Sequence, residues 1–173
     1  MSANIPSRPR QVGQRRTFAI VAGQYNPEFV RGLIDHARAE FLAMSSNFNV
    51  VVFEVPGAFE IPLMVQEVAT RGGMDAIIAL GVIIEGETEH ARLVGEEVTR
   101  ALQQLALTHR LPVIHEVLLL KNSQQAEIRC LGEEMNRGTE AARVAARMVQ
   151  TLSDLRNSRA ETSNPRAEGR FSR

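Results

Sequence analysis

The sequence predicts an α/β fold, a three-layer sandwich in which a four-stranded parallel sheet is flanked by helices on both faces. Four short apolar runs, rich in β-branched residues, alternate with segments whose apolar residues recur every three or four positions. The runs are nearly continuous in apolar residues, as is typical of strands that are covered on both sides. A length of 173 residues suits one domain with a sizeable core.

The first two strands and helices follow from local signals. Residues 18–23 form an apolar strand, and Asn26 with Pro27 then predicts a helix start, since Asn caps helices and Pro suits their first position. The second strand, residues 50–55, stops at Pro56 and Gly57. The second helix is predicted over residues 58–70, with Pro62 tolerated near its start.

The third strand and helix frame the stretch that reads GVIIEGETEH. Residues 75–84 predict a buried strand, Thr88 is the predicted N-cap and His90 lies in the first helical turn. A strand that ends at a helix N-terminus directs free N–H groups and a positive dipole to one spot, which suits an anion such as phosphate. The face predicted to be buried comprises Leu93, Val94, Val98, Ala101, Leu102 and Leu105.

The last strand and helices complete the alternation. Residues 113–120 predict the fourth strand, and Asn122 with Gln125 resembles a capping box that opens a short helix through Arg129. The motif Asn136-Arg137-Gly138 opens the final helix. Its predicted buried face comprises Ala142, Ala145, Met148, Val149 and Leu152.

The two ends of the chain lack periodic apolar residues. We expect a flexible basic arm over residues 1–16, a folded domain over residues 17–153 and a disordered polar tail over residues 154–173. The arm is predicted to be solvated, and contact with a partner or a targeting role stays open.

Composition limits the classes of function. Twenty basic and twenty acidic residues cancel, and a pI of about 6.9 favours neither nucleic acid nor a membrane surface as a partner. The single cysteine excludes an internal disulfide, argues against a cysteine-based zinc site and favours a reducing, cytoplasmic setting. We identify no signal peptide or apolar run long enough to span a bilayer.

Three segments are expected to meet where the strands end. Residues 25–26, 56–60 and 86–90 each follow a strand, and ligands of parallel sheets collect at the carboxyl ends of the strands. The residues themselves therefore predict a small-molecule site that suits an anion. Structural readings stay open at this point: Gly86 and Thr88 as an ordinary turn, Tyr25 as core, and Arg129 as an exposed helical charge.

The motifs in these segments resemble those of the 6,7-dimethyl-8-ribityllumazine synthase family of riboflavin biosynthesis. Residues 55–62 read VPGAFEIP, and residues 81–90 match the family pattern Gly-x-Val-Ile-x-Gly-x-Thr-x-His. Gln125, Arg129 and the Asn136-Arg137-Gly138 motif follow at the family's spacing. The resemblance covers about residues 17–150.

This resemblance implies a flavodoxin-like subunit and a transferase without metal or organic cofactor. The implied reaction condenses 5-amino-6-(D-ribitylamino)uracil with 3,4-dihydroxy-2-butanone 4-phosphate and releases phosphate and water. The family assembles as homopentamers, in some members further to decamers or 60-subunit shells, and its active sites lie between neighbouring subunits.

The resemblance also assigns roles to residues. His90 would transfer protons, with Glu140 orienting it. The backbone of Glu87 and Thr88, with Arg129 of the neighbouring subunit, would bind the phosphate, and His115 and Arg137 would also come from that neighbour. The residues implied to bind the pyrimidine substrate or line its cleft are Tyr25, Asn26, Ala58, Phe59, Glu60, Val82, Ile83 and Ile84.

Two other functions are open on the sequence. One is a catalytically weakened paralogue that acts as an oligomeric carrier of a pyrimidine or flavin, and the other is a generic flavodoxin-like binding domain. The chain departs from the commonest family residues at several positions that bear on the first alternative. These are Glu85, Glu87, Arg92, His115 and Glu116.

Overall fold

A single parallel sheet forms the centre of the computed structural model, which describes residues 6–9 and 15–162, with side chains as far as residue 158. Its four strands pair in the order β2-β1-β3-β4. The chain passes from β1 to β2 on one side and then returns to β3 on the other, so the order reverses between β1 and β3. The strands are β1 (Arg16–Gly23), β2 (Phe48–Val55), β3 (Ala76–Ile84) and β4 (Val113–Leu120).

Five α-helices flank the sheet, which confirms the predicted three-layer α/β architecture. A 3₁₀ turn, Ala58–Glu60, precedes the second helix, and a π-helical segment, Glu127–Leu131, follows the fourth. Most predicted boundaries lie within two residues of the observed ones, and β4 has the predicted bounds. The helices are α1 (Pro27–Met44), α2 (Ile61–Arg71), α3 (His90–His109), α4 (Ser123–Ala126) and α5 (Arg137–Thr162).

Each face of the sheet has its own apolar core. On one face α1 and α5 cover β1, β3 and β4, and Phe18 stacks on Phe41 with ring centroids 4.3 Å apart. On the other face α2 and α3 pack on alternate residues of the same strands, among them Ile77 and Val117. Side chains alternate along a strand, so neighbouring residues of β4 face different helices.

The start of α5 is fixed by close packing against α1. A Cβ at Gly138 would overlap the backbone oxygen of Leu33, so only glycine allows this approach. The buried amide of Asn136 donates to the oxygen of Cys130 at 2.8 Å, and its Oδ1 accepts from the N–H of Gly138 at 2.8 Å. These contacts explain why the Asn136-Arg137-Gly138 motif opens the helix.

One predicted helix cap is wrong, and another is confirmed only in its position. Thr88 is not the N-cap of α3, because Glu89 occupies that position and no side chain caps the helix. Asn26 is at the N-cap position of α1, but its backbone is left-handed (φ 55°) and its side chain bonds elsewhere. By contrast, Asn122 accepts a capping hydrogen bond from the N–H of Gln125 at 3.0 Å, as predicted.

Two helical residues that the periodicity assigned to buried faces are exposed. Leu93 is 52% exposed and Met148 is 39% exposed. Leu93 lies in the first turn of α3. On α5 the predicted Ala142, Ala145 and Val149 are buried, together with Ala141 and Ala146.

The described structure includes parts of both segments that the sequence places outside the folded domain. Arg8 donates to Glu40 at 2.6 and 3.0 Å, and α5 continues to Thr162 through the start of the segment expected to be disordered. A hydrogen bond of 2.7 Å from Gln150 to Asp154, one helical turn apart, supports this extension. The remainder of the predicted arm, residues 1–5 and 10–14, and of the tail, residues 163–173, lies outside the described residues.

None of the helices in the described part of the chain combines the length and apolar character that a membrane crossing needs.

Candidate functional site

A cleft of about 900 Å³ opens at the carboxyl ends of β1 and β3, where the strand order reverses. Open parallel sheets bind their ligands at this position. The structure brings together there most of the residues that the sequence singled out. Those lining the cleft are Tyr25, Asn26, Ala58, Phe59, Glu60, Val82, Ile83, Ile84, Thr88 and His90.

The floor of the cleft is the apolar end of β3. Val82 is buried, and Ile83 and Ile84 are half-buried. The side-chain Nδ2 of Asn26 donates to the backbone oxygen of Val82 at 2.9 Å, which ties the loop after β1 to this floor. The left-handed backbone of Asn26 places the amide for this contact, because Asn adopts that conformation more readily than most residues.

Two exposed aromatic rings flank the cleft. Tyr25 is 72% exposed and Phe59 is 64% exposed, although rings of this size are normally covered. Gly57 lies under Tyr25: a Cβ there would come within 2.9 Å of the Tyr25 Cε2 and 3.0 Å of the Glu60 Oε2. Any side chain at Gly57 would therefore collide with the Tyr25 ring and the Glu60 carboxylate, and glycine leaves room for both.

The N-terminus of α3 forms the polar end of the cleft. His90 is the first residue of the helix, it is exposed, and no side-chain cap occupies the free N–H groups of the first turn. These donors and the helix dipole favour an anion beside Thr88 and His90. Glu87 does not line the cleft, although its neighbours Gly86 and Thr88 do.

The charges of the first turn of α3 are largely satisfied within the helix. Arg92 contacts Glu89 and Glu96, both at 2.6 Å, and these carboxylates raise its pKa. Arg92 therefore does not neutralise Glu85 or Glu87, and these two side chains are exposed. An anion at this end relies on backbone donors and on cations from elsewhere.

Besides Glu87, four predicted site residues do not line the cleft of their own chain. His115, Arg129, Arg137 and Glu140 lie on β4, the π-helical segment and α5, which follow the cleft-forming elements in sequence. Arg137 is buried and forms an ion pair with Glu140 in the first turn of α5.

His115 is separated from the arginines because it faces α3. Its Nδ1 accepts from the N–H of Val117 at 3.1 Å, and its Nε2 lies 2.7 Å from the Thr99 Oγ1. The Thr99 hydroxyl donates to the oxygen of Gly95 at 2.7 Å, so the network assigns the proton of the neutral ring to Nε2. Burial lowers the pKa of His115, which keeps the ring neutral in this network.

Glu116 faces the other way, toward the arginines. It pairs with Leu80 across the sheet and shares its face of β4 with Ile114 and Leu118, which pack in the α1 and α5 core. Burial raises its pKa to about 7, the positive charges of Arg137 and Arg129 oppose that rise, and Glu140 adds to it.

Residues on both sides of the site were not among the predicted site residues. Glu116, and not His115, shares a charged cluster with Arg129 and Arg137; the two-residue period of β4 was the signal that could have shown this. On α3, the cleft is also lined by Ala91, Leu93, Val94 and Glu97. The helical period from His90 could have placed Leu93, Val94 and Glu97 on that face.

No cluster of three or more His, Cys, Asp or Glu side chains suited to a metal ion occurs in the described part of the chain. The one cysteine, Cys130, is buried, and burial raises the pKa of its thiol to about 12. The cleft thus presents aromatic rings, two carboxylates, an imidazole and backbone donors to a ligand.

Comparison with known proteins gives a family match over nearly the whole folded domain. Residues 15–153 match the family model described as 6,7-dimethyl-8-ribityllumazine synthase. A protein of that name from Polaromonas sp. is 36% identical over 144 residues, which are 83% of this chain and 91% of the relative. Another from Pediococcus pentosaceus is 35% identical over 139 residues, which are 79% of this chain and 88% of the relative.

Among solved structures, a de novo designed Rossmann fold protein aligns with a TM-score of 0.36 and 12% identity. The alignment covers 65% of this chain and 90% of that protein.

Proposed function

The chain belongs to the 6,7-dimethyl-8-ribityllumazine synthase family, and on that premise we propose that it condenses 5-amino-6-(D-ribitylamino)uracil with 3,4-dihydroxy-2-butanone 4-phosphate. The product is 6,7-dimethyl-8-ribityllumazine, with release of phosphate and water. The observation that carries the proposal is the position of the family motif at residues 81–90. This motif forms both the floor and the anion-binding end of the cleft.

The pyrimidine substrate binds at the aromatic end of the cleft in this proposal. Tyr25 offers an exposed ring for stacking, and the apolar floor of β3 covers the opposite side. Phe59 and the backbone of Ala58 hold the heterocycle, and the exposed carboxylate of Glu60 accepts hydrogen bonds from ribityl hydroxyls.

The butanone phosphate binds at the α3 end. The backbone N–H groups near Glu87 and Thr88 and the uncapped first turn of α3 supply donors to its phosphate. The Arg129 guanidinium of a neighbouring subunit supplies the cation that the chain's own cleft lacks.

His90 transfers protons between the two substrates. The uracil amine attacks the ketone to give a Schiff base with loss of water, phosphate is then eliminated, and the ribitylamino nitrogen closes the ring with a further loss of water. Each step moves a proton, and an imidazole side chain can both donate and accept protons in general acid–base catalysis. Glu140 of the neighbouring subunit orients His90. Much of the rate enhancement comes from binding the two substrates next to each other in the reactive orientation.

A homo-oligomer completes the site in this proposal. Arg129, Arg137 and Glu140 lie away from the cleft of their own chain, while Tyr25 and Phe59 stand exposed beside it. A cyclic arrangement, in which the β4 side of one subunit covers the cleft of the next, satisfies both observations. The assembly is a pentamer, alone or built into a decamer or a 60-subunit shell. The single free thiol, Cys130, supports a cytoplasmic location.

The direct test mixes purified protein with both substrates and follows the absorbance of the lumazine product. We expect turnover, and we expect His90→Ala to reduce kcat by up to about 10²-fold while His36→Ala, at a helical position away from the cleft, leaves it unchanged. Folded protein that binds the pyrimidine but forms no product would instead support the carrier alternative, which the family match does not favour.

A further inference from the structure

One ionisable group near Arg129, the proposed phosphate-binding residue, and near Arg137 has no part in the function described so far. Glu116 is half-buried on β4, on the face that packs against α5. Within the described part of the chain, no hydrogen bond or ion pair satisfies its carboxyl group. A partly buried carboxyl without a partner is costly, so its presence calls for a physical reason.

The surroundings of Glu116 contain two positive and one further negative group. Arg137 and Glu140 at the start of α5 and Arg129 in the π-helical segment lie near enough for their charges to act on the Glu116 carboxyl. Cys130 is close enough for Glu116 to affect its thiol, which stays neutral because burial raises the pKa of that thiol to about 12. The strand neighbour of Glu116 on β3 is Leu80, which carries no charge.

We propose that Glu116 controls how strongly Arg129 and Arg137 bind the phosphate of the substrate, by competing with that phosphate for their positive charge. This inference rests on the function proposed above. Glu116 acts through the arginines and not on the reacting atoms, so it is a positioning residue.

The charge balance of the cluster explains the direction of the effect. Glu140 is already paired with Arg137, which leaves the charge of Arg129 uncompensated when Glu116 is neutral. When Glu116 ionises, the two carboxylates balance the two guanidinium groups and the attraction for an anion falls. The pKa of Glu116, raised by burial to about 7, places this change near neutral pH.

Sulfate is a suitable probe because it remains a dianion across the relevant pH range, whereas phosphate itself titrates there. We expect the affinity of the assembled wild-type protein for sulfate, measured by calorimetry, to fall about fivefold between pH 6 and pH 8. In Glu116→Gln the fall should be clearly smaller, and at pH 8 this variant should bind sulfate about fivefold more tightly than wild type.

Matched variants make the result specific. Glu134→Gln removes the same charge from an exposed position just before α5 and should behave as wild type. Glu116→Ala removes the charge without adding an amide and serves if Glu116→Gln does not fold. In turnover assays at pH 8, Glu116→Gln should lower KM for the butanone phosphate and leave KM for the pyrimidine unchanged.

The outcomes separate this inference from the function on which it rests. Absence of lumazine product from wild-type protein would overturn the function, whereas the sulfate titrations do not depend on turnover. Equal pH profiles for wild type and both Glu116 variants would overturn the inference alone. Sulfate binding that survives both Arg129→Ala and Arg137→Ala would overturn it too, because those arginines would then not hold the anion.

Discussion

The Nδ2 of Asn26 lies 2.9 Å from the backbone oxygen of Val82 and donates a hydrogen bond to it. This bond joins the loop that carries Tyr25 to the strand that forms the cleft floor. It also explains why Asn26, the residue before α1, has a left-handed backbone and makes no side-chain capping bond to the helix. This side chain therefore helps to fix the geometry of the end of the cleft at which the pyrimidine is proposed to bind.

Asn26→Ala should lose this hydrogen bond and strain the left-handed backbone. We expect a loss of about 2 kcal/mol in the free energy of unfolding, measured by urea denaturation. Asn26→Gly tolerates the backbone conformation and should lose only about 1 kcal/mol. Both variants should raise KM for the pyrimidine. Equal stability of the alanine and glycine variants would contradict the assigned strain.

Gly57→Ala should disturb the ring of Tyr25 without unfolding the protein. The added methyl group would lie 2.9 Å from the Tyr25 Cε2, so the ring must move away from the cleft backbone. We expect KM for the pyrimidine to rise about five- to tenfold. Gly95→Ala is the matched control, because Gly95 does not line the cleft and a Cβ there comes no closer than 3.7 Å to a Leu119 atom. If both alanine variants behave alike, the ring does not depend on Gly57.

Thr99→Val should weaken the interaction between α3 and β4, because it removes the hydroxyl that hydrogen-bonds to the His115 ring. We expect a loss of about 1 kcal/mol in the free energy of unfolding at pH 8. Thr108→Val, at an exposed position of the same helix, is the control and should cost less.

The pH dependence of stability gives a second test of the His115 network. Burial lowers the pKa of His115, so the folded protein binds this proton less readily than the unfolded chain. The resulting stability is present above the unfolded pKa of about 6.5 and is lost as pH falls toward the folded pKa. His115→Phe should remove that component of the pH profile. An unaltered profile would mean that the ring is not held neutral in the folded state.

Glu40→Gln should be strongly destabilising. The carboxylate is only 6% exposed and is bound by Arg8 at 2.6 Å and Arg143 at 2.7 Å, so its loss leaves a partly buried guanidinium without a counter-charge. We expect a loss of about 3 kcal/mol in the free energy of unfolding at pH 7. Arg8→Ala should cost less, because Arg8 is largely exposed and Arg143 remains.

The same cluster should govern acid stability. The hydrogen bond from Arg8, supported by Arg143, lowers the pKa of Glu40 to about 2. Its contribution is complete above the ordinary carboxyl pKa of about 4.5 and is lost as pH falls through about 2. Urea midpoints between pH 2 and pH 6 should therefore fall less steeply for Glu40→Gln. A parallel fall in both proteins would contradict this assignment.

Local patterns in the sequence predict the main elements and the position of the cleft, but not the finer contacts. The apolar run of β4 and the capping box at Asn122 follow from short-range chemistry, so both are predictable. The prediction that Thr88 caps α3 was wrong because residue preferences at helix ends are too weak to identify the capping position to a single residue.

Contacts between distant residues are harder to predict. The pairing of Arg8 with Glu40 and the bond from Asn26 to Val82 join residues far apart in sequence, and no local pattern signals them. The opposite directions of His115 and Glu116 were accessible from strand alternation. The proposed completion of the cleft by a neighbouring subunit would be a property of the assembly, which local patterns in one chain do not encode.

The shared site is tested most directly by mixing two inactive variants. His90→Ala and Arg129→Ala subunits are unfolded together in equal amounts, refolded and assayed with both substrates at low butanone phosphate. If each site takes His90 from one subunit and Arg129 from the next, roughly a quarter of the sites regain both residues, and activity should recover to that fraction of wild type. Activity no higher than that of the separately refolded variants would show that the two residues do not serve one site across an interface.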